Sequence, residues 1–317
     1  MQPDMSLWTG RVDPEPRTER WHQVVAPLGE ASPPGRVLIG FRSDEGVRRN
    51  KGRPGAVDGP LAIRKALGPL AWHSAAPVYD AGDIACADGD LDAAHDALAD
   101  AVAGALRGGH LPLVMGGGHE MAYGSWLGLA RHAETLPAAP VIGIVNFDAH
   151  FDLRSPEFVI SSGTPFAQIA RACAERSWPF RYLCFGVSQA ANTANLFERA
   201  EEFGVRFRLD RDMTLADLDA ARQELAGFLA GCDLIYMTTC LDVFPAAVAP
   251  GVSAPAARGV AVEVIEPLIE SVRDSGKLAV ADIAELSPGL DPDVRTARLA
   301  ARLLHTMSRS VAGGPST

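Results

Sequence analysis

The chain has 317 residues, with 29 Lys+Arg against 39 Asp+Glu, a formal net charge of −10, and 47% hydrophobic and 21% charged residues. Those fractions exclude a disordered or solvating acidic protein, and a chain of this length builds a core without disulfide or metal staples. The acidic balance excludes a broad electrostatic grip on nucleic acid, yet it leaves room for a local basic pocket that takes an acidic small molecule.

In chain order, residues 1–35 read as a Pro-rich, polar N-terminal arm without the apolar core of a signal peptide. From residue 36 onward, β-rich runs and helical stretches alternate. A run over 36–41 precedes a helix over 60–67, 77–80 precedes 91–107, and 111–115 precedes 120–132. The pattern continues with 141–147 and 165–177, 182–187 and 193–203, 205–208 and 215–229, 234–239 and 263–273, and 277–283 and 294–307. Several runs are apolar throughout, as strands covered on both faces are. Eight such pairs mean an α/β protein with a mainly parallel sheet and helices on both sides; a closed eight-stranded barrel is the competing closure. No linker divides the middle, so 36–310 reads as one domain and 311–317 as a flexible tail. Five scattered cysteines form no CxxC, and no apolar stretch reaches about 18 residues. The expectation is a soluble, cytoplasmic protein that binds neither membrane nor nucleic acid.

In either closure, functional groups collect just past the C-terminal ends of the strands. Four strand ends carry such groups. Asp148, His150 and Asp152 follow the run over 141–147 at i, i+2 and i+4, one side of an extended chain. Buried together, they repel or desolvate one another unless a cation sits among them. Gly116-Gly117-Gly118 follows 111–115 and delivers His119 where a helix starts; its glycines permit a tight turn and close approach to a ligand. Cys240 and Asp242 share a face after 234–239, and Glu285 follows the last run. Taken singly, each is what a solvated turn, a structural histidine, a buried cysteine or an exposed acid looks like. Taken jointly, two His and three Asp suit two adjacent divalent cations, with imidazole and carboxylate favouring manganese. Such a pair generates hydroxide near neutral pH and points to metal-assisted hydrolysis of a C–N bond.

The Gly-Gly-x-His segment at 116–119, the Asp-Ala-His-x-Asp segment at 148–152 and the Asp242 segment before Ala249-Pro250-Gly251 resemble the arginase/agmatinase ureohydrolases over about 39–304. The resemblance implies a three-layer α/β/α sandwich with an eight-stranded sheet, a two-manganese centre and assembly into homo-oligomers. It implies that His119, Asp148, His150, Asp152 and Asp242 are metal ligands and that Glu285 holds a cationic amidino group. Stretches at 44–56, 146–154, 161–166 and 250–259 narrow the likeness to the branch that hydrolyses N-formimidoyl-L-glutamate.

Two departures from the broader family stand out. Cys240 occupies the place of a metal-bridging Asp; as a softer, single-atom donor it can ligate, or it can leave one ion instead of two. The proton-shuttling His near the Ser-Gly-Thr stretch is missing, with Ser162 and Phe166 in that neighbourhood. The implied substrate carries two carboxylates, which suit the planar fork of Arg. Arg154 is the first candidate for them and Arg258 the second. The alternatives are another ureohydrolase acting on a guanidino substrate and a metal-poor, non-catalytic homologue that kept the fold.

Overall fold

The computed structural model describes residues 2–309; the predicted tail over 311–317 lies outside them. The elements begin with α1 (Trp21–Val24), β1 (Val25–Pro27), β2 (Arg36–Arg42), α2 (Glu45–Arg49), α3 (Gly59–Leu67), β3 (Val78–Ala85), α4 (Leu91–Arg107), β4 (Leu111–Met115), α5 (Met121–Ala133) and β5 (Ile142–Phe147). They continue with α6 (Pro165–Glu175), β6 (Arg181–Val187), α7 (Ala194–Glu202), β7 (Arg206–Leu209), α8 (Leu218–Ala230), β8 (Leu234–Cys240), α9 (Val262–Asp274), β9 (Leu278–Ala284) and α10 (Arg295–Ser308). No helix among the described residues is long and apolar enough to cross a membrane.

All strands join one parallel sheet in the order β1-β3-β2-β4-β9-β8-β5-β6-β7. Its two ends do not meet, so the sheet is open and the barrel is excluded. Alternating residues of the buried strands serve two cores. Leu38, Val145 and Phe147 face the core built with α3, α8, α9 and α10. Val37, Ile39, Ile142 and Ile144 face the other, built with α4, α5, α6 and α7. This is the three-layer sandwich, with helices closing both faces as parallel strands require. The longest helix, α4, starts where Asp90 accepts the Ala93 N–H at 3.0 Å and ends before Gly109, which takes φ 73°. A side-chain N-cap and a left-handed glycine are the expected start and stop.

The expected strand count of eight is corrected to nine. The extra strand, β1, comes from the arm, where Pro27 is tolerated because the strand lies at the sheet edge. The arm also buries Trp8 and Trp21, whose indole N–H groups donate to Asp80 at 2.8 Å and His305 at 3.1 Å.

The order has one consequence for function. The chain lays β4 beside β2, jumps to β5, moves outward through β6 and β7, and returns to fill the gap with β8 and β9. The four strands whose ends carry His119, Glu285, Cys240/Asp242 and Asp148/His150/Asp152 are therefore the central neighbours β4, β9, β8 and β5. Their register aligns Met115 with Ile283, Ile283 with Thr239 and Thr239 with Phe147, so the four ends finish level.

Candidate metal centre

Past these level ends the side chains converge. His119 Nδ1 lies 3.0 Å from Asp148 Oδ2 and 3.0 Å from Asp152 Oδ2. His150 Nδ1 lies 3.1 Å from Asp242 Oδ2 and 3.6 Å from Asp148 Oδ1. Asp148 stands between the two imidazoles and offers one oxygen to each. Two donor groups share it: His119, Asp148 and Cys240 place donor atoms within 4.8 Å of one another, and so do Asp148, His150 and Asp242. Asp152 and Glu285 hold left-handed backbone at φ 49° and 74°. Non-glycine residues rarely adopt it, and such strain collects at functional sites.

Neighbouring hydrogen bonds hold the donors in place. The His150 N–H donates to Asp148 Oδ1 at 2.7 Å, and Asn146 Nδ2 donates to Asp148 Oδ2 at 3.1 Å. His119 Nε2 meets Thr238 Oγ1 at 3.0 Å, and Phe166 packs edge-on against its ring. The His119 N–H donates to Glu285 Oε1 at 2.8 Å, while the Glu285 N–H donates to the Gly117 carbonyl at 2.8 Å. The three glycines serve a different neighbour from the one expected. Gly117 and Gly118 donate to the Phe41 and Ser43 carbonyls, and a Cβ on Gly117 would collide with Ser43. Gly117 admits the end of β2, and Gly116 donates to the Ile283 carbonyl of β9.

The electrostatics is that of a site lacking counter-charge. Burial pushes Asp152 up to about 6, assisted by the charge of Asp148. Burial also raises Asp242, again with Asp148, and raises Glu285 to about 8 with Glu120 and Asp242. It holds the Cys240 thiol well above its ordinary range beside Asp148, Asp242 and Glu285. Burial alone would depress His119 and His150, yet their carboxylate neighbours hold both well above the usual imidazole value. Asp148, despite burial, is held low by the two imidazoles. Asp242 Oδ1 is buried without a hydrogen-bond partner, and His119 Nδ1, 3.0 Å from two carboxylates, is aligned for a hydrogen bond to neither. Converging imidazole, carboxylate and thiol donors with orphaned lone pairs fit divalent cations.

His119, His150, Asp152, Cys240, Asp242 and Glu285 line one cavity of about 370 Å³ together with Arg154, while Asp148, between the two imidazoles, is fully buried. Arg258 is not brought there. It is exposed, and its guanidinium reaches the Arg211 carbonyl at 3.5 Å. The chain turns away at Gly259, φ 62°, and the Val260 N–H returns to the Val243 carbonyl.

Sequence reasoning passed over two residues. Asn192, on the loop after β6, accepts the Phe151 N–H at 3.1 Å and donates to the Ala149 carbonyl at 2.9 Å, bracketing His150. Glu120, fully buried, accepts from Ser43 Oγ at 2.9 Å and from the Gly46 N–H at 3.0 Å, tying the loop after β2 to the site. Burial pushes Glu120 up to about 7. The only signal either gave was a polar residue close to a strand end.

The sequence profile of the Arginase family matches residues 35–308. A formimidoylglutamase of Aeromonas hydrophila is 58% identical over 308 residues, spanning 96% of this chain and 97% of that protein. One of Chromobacterium violaceum is 52% identical over 309 residues, 96% and 98% of the two chains. Among solved structures, formimidoylglutamase of Bacillus subtilis superposes with a TM-score of 0.81 at 22% identity over 94% of each chain, a likeness of fold. Trypanosoma cruzi formiminoglutamase with Mn2+ superposes with a TM-score of 0.78 at 26% identity, over 89% of this chain and 95% of that one.

Proposed function

The chain belongs to the arginase family, and on that premise we propose that it hydrolyses N-formimidoyl-L-glutamate to L-glutamate and formamide, as a cytoplasmic step of histidine degradation. The observation that carries this reading is a single cavity with an acidic and imidazole floor and a free guanidinium, Arg154, in its wall. That polarity matches a substrate with a cationic amidine head and two carboxylates.

His119, Asp148, Asp152 and Cys240 would hold one divalent cation, and Asp148, His150 and Asp242 a second, with manganese suited to the carboxylate-rich set. When bound, the cations supply Lewis acidity and a water that loses its proton near neutral pH. The remaining tasks fall to the chain. Glu285, fixed by the His119 N–H, presents its other oxygen to the formamidinium and orients the amidine carbon above the floor. Arg154 takes a carboxylate through its planar fork. Phe166 and the surrounding buried wall keep bulk water from the His119 side.

The test is formamide release from N-formimidoyl-L-glutamate by the purified, manganese-loaded protein, with urea release from arginine and agmatine measured beside it. Formamide without urea is expected. Urea release, or no turnover with stoichiometric manganese bound, overturns the reading.

A further inference from the structure

The substrate proposed above has two carboxylates, and Arg154 accounts for one. We propose that Lys51 binds the other, so that Lys51 and Arg154 together form the dicarboxylate-recognising mouth of the cavity; this rests on the function proposed above.

Elimination supports the assignment. The basic residues around the mouth are mostly committed. Arg48 and Arg49 both pair with Glu45, and Arg49 also donates to the Gly89 carbonyl at 2.7 Å. Arg53 clasps the Val252 and Ser253 carbonyls at 2.7 and 2.8 Å, locking one loop to another. Arg199 donates to the Leu153 carbonyl at 2.9 Å. Among the described residues, only Arg154 and Lys51 line the cavity with a charged end that has no ion pair or hydrogen bond. Both also line an adjoining cavity of about 360 Å³, so they stand where the two cavities meet.

The backbone supplies an independent argument. Lys51 follows α2 and Asn50 at the position where helices usually end on a left-handed glycine, and it takes φ 62°. Its N–H closes on the Arg48 carbonyl at 3.1 Å, and the N–H of Gly52 closes on Val47 at 2.9 Å. Glycine would fit this turn without strain, yet the position carries a long cationic side chain that lines the cavity. Glu120 fixes the loop from beneath by holding Ser43 and Gly46. A strained, anchored residue with an unpaired charge is what a ligand clamp looks like.

The experiment compares wild type with Lys51→Gly, Lys51→Met and Arg48→Met on the manganese-loaded protein. Substrates are N-formimidoyl-L-glutamate, N-formimidoylglycine, which lacks the side-chain carboxylate, and 4-(formimidoylamino)butanoate, which lacks the α-carboxylate. Losing a charge-assisted contact is expected to raise KM for the full substrate about tenfold or more in both Lys51 variants, with kcat little changed. The penalty should vanish on one of the two monocarboxylates and persist on the other. Lys51→Gly should keep or raise Tm, since it relaxes the turn, which separates ligand binding from a structural role. Arg48→Met, removing a charge already neutralised, should leave KM unchanged. An equal penalty on all three substrates, or an equal effect of Arg48→Met, overturns the subsite while leaving the reaction intact. Absence of wild-type turnover on N-formimidoyl-L-glutamate overturns the reaction and the subsite with it.

Discussion

Replacing Asn192 by alanine should loosen His150 without touching a metal donor. Asn192 is 7% exposed and makes three hydrogen bonds: from the Phe151 N–H at 3.1 Å, and to the Ala149 and Ser188 carbonyls at 2.9 and 2.8 Å. Ala149 and Ser188 keep other partners, the N–H groups of Ser188 and Ala191. The Phe151 N–H is left buried and alone. An orphaned buried donor costs about 1–3 kcal/mol, and each lost bond to an already paired carbonyl about 0.5 kcal/mol or a little more. The sum is about 2–4 kcal/mol. At about 2.1 cal/mol/K of unfolding entropy per residue, a chain of this length should lose about 3–6 °C in Tm. Phe151 remains clamped between Phe197 and Phe207, so the loop loosens rather than unfolds. Its freed end carries His150, and losing such an orienting contact weakens metal affinity by about 10–100-fold. Calorimetry and metal titration of the purified variant measure the two effects. A Tm within about 1 °C of wild type, or unchanged affinity for both ions, would refute the reasoning.

Cys240→Asp should bind a second manganese more tightly and lose preference for zinc, because two hard oxygens replace one soft sulfur; unchanged metal count and preference by elemental analysis would remove Cys240 from the centre. Arg154→Ala should raise KM for N-formimidoyl-L-glutamate about tenfold with kcat nearly constant, and steady-state kinetics showing less than about a threefold rise would count against carboxylate binding. The metal-free protein should lose stability as pH rises from about 5 to 8. The folded state raises Glu285 to about 8 and Asp152 to about 6 and also lifts His119 and His150, so it holds protons that the unfolded chain has already released. Manganese should reverse that slope, since cations displace those protons more easily at higher pH; denaturant titrations at several pH values with and without manganese read both slopes.

Much of the fold is legible in the sequence, for identifiable reasons. Strands buried on both faces carry few charged residues and no strict alternation, so β4, β5 and β8 stand out as uncharged, mostly apolar runs. β1 does not stand out, because three residues including a proline carry no period. Trp8 and Trp21 look no different in sequence from exposed residues of a polar arm; docking on the sheet and on α10 buries them. The seven acidic, imidazole and thiol positions could be found because each terminates an apolar run. What brings them together, the return of β8 and β9 between β4 and β5, is a property of strand order, which local pattern does not encode. Asn192 and Glu120 acquire their roles from partners distant in sequence. The structure leaves Arg258 exposed, against the Arg211 carbonyl, a placement its position in the sequence does not reveal.

The arrangement also separates two jobs that a metal hydrolase must perform. The floor gathers Asp148, Asp152, Asp242 and Glu285 with two imidazoles, in a buried setting where some of the acids keep their protons unless cations replace them. Binding cations is therefore coupled to relieving repulsion that the fold itself creates. That machinery is indifferent to what lies beyond the amidine carbon, since any guanidino or amidino head presents similar charge to Glu285. Discrimination must come from the mouth. A substrate without carboxylates would satisfy the floor but leave the Arg154 guanidinium unpaired. On the proposed reading, the basic mouth rather than the floor would decide which amidine is accepted.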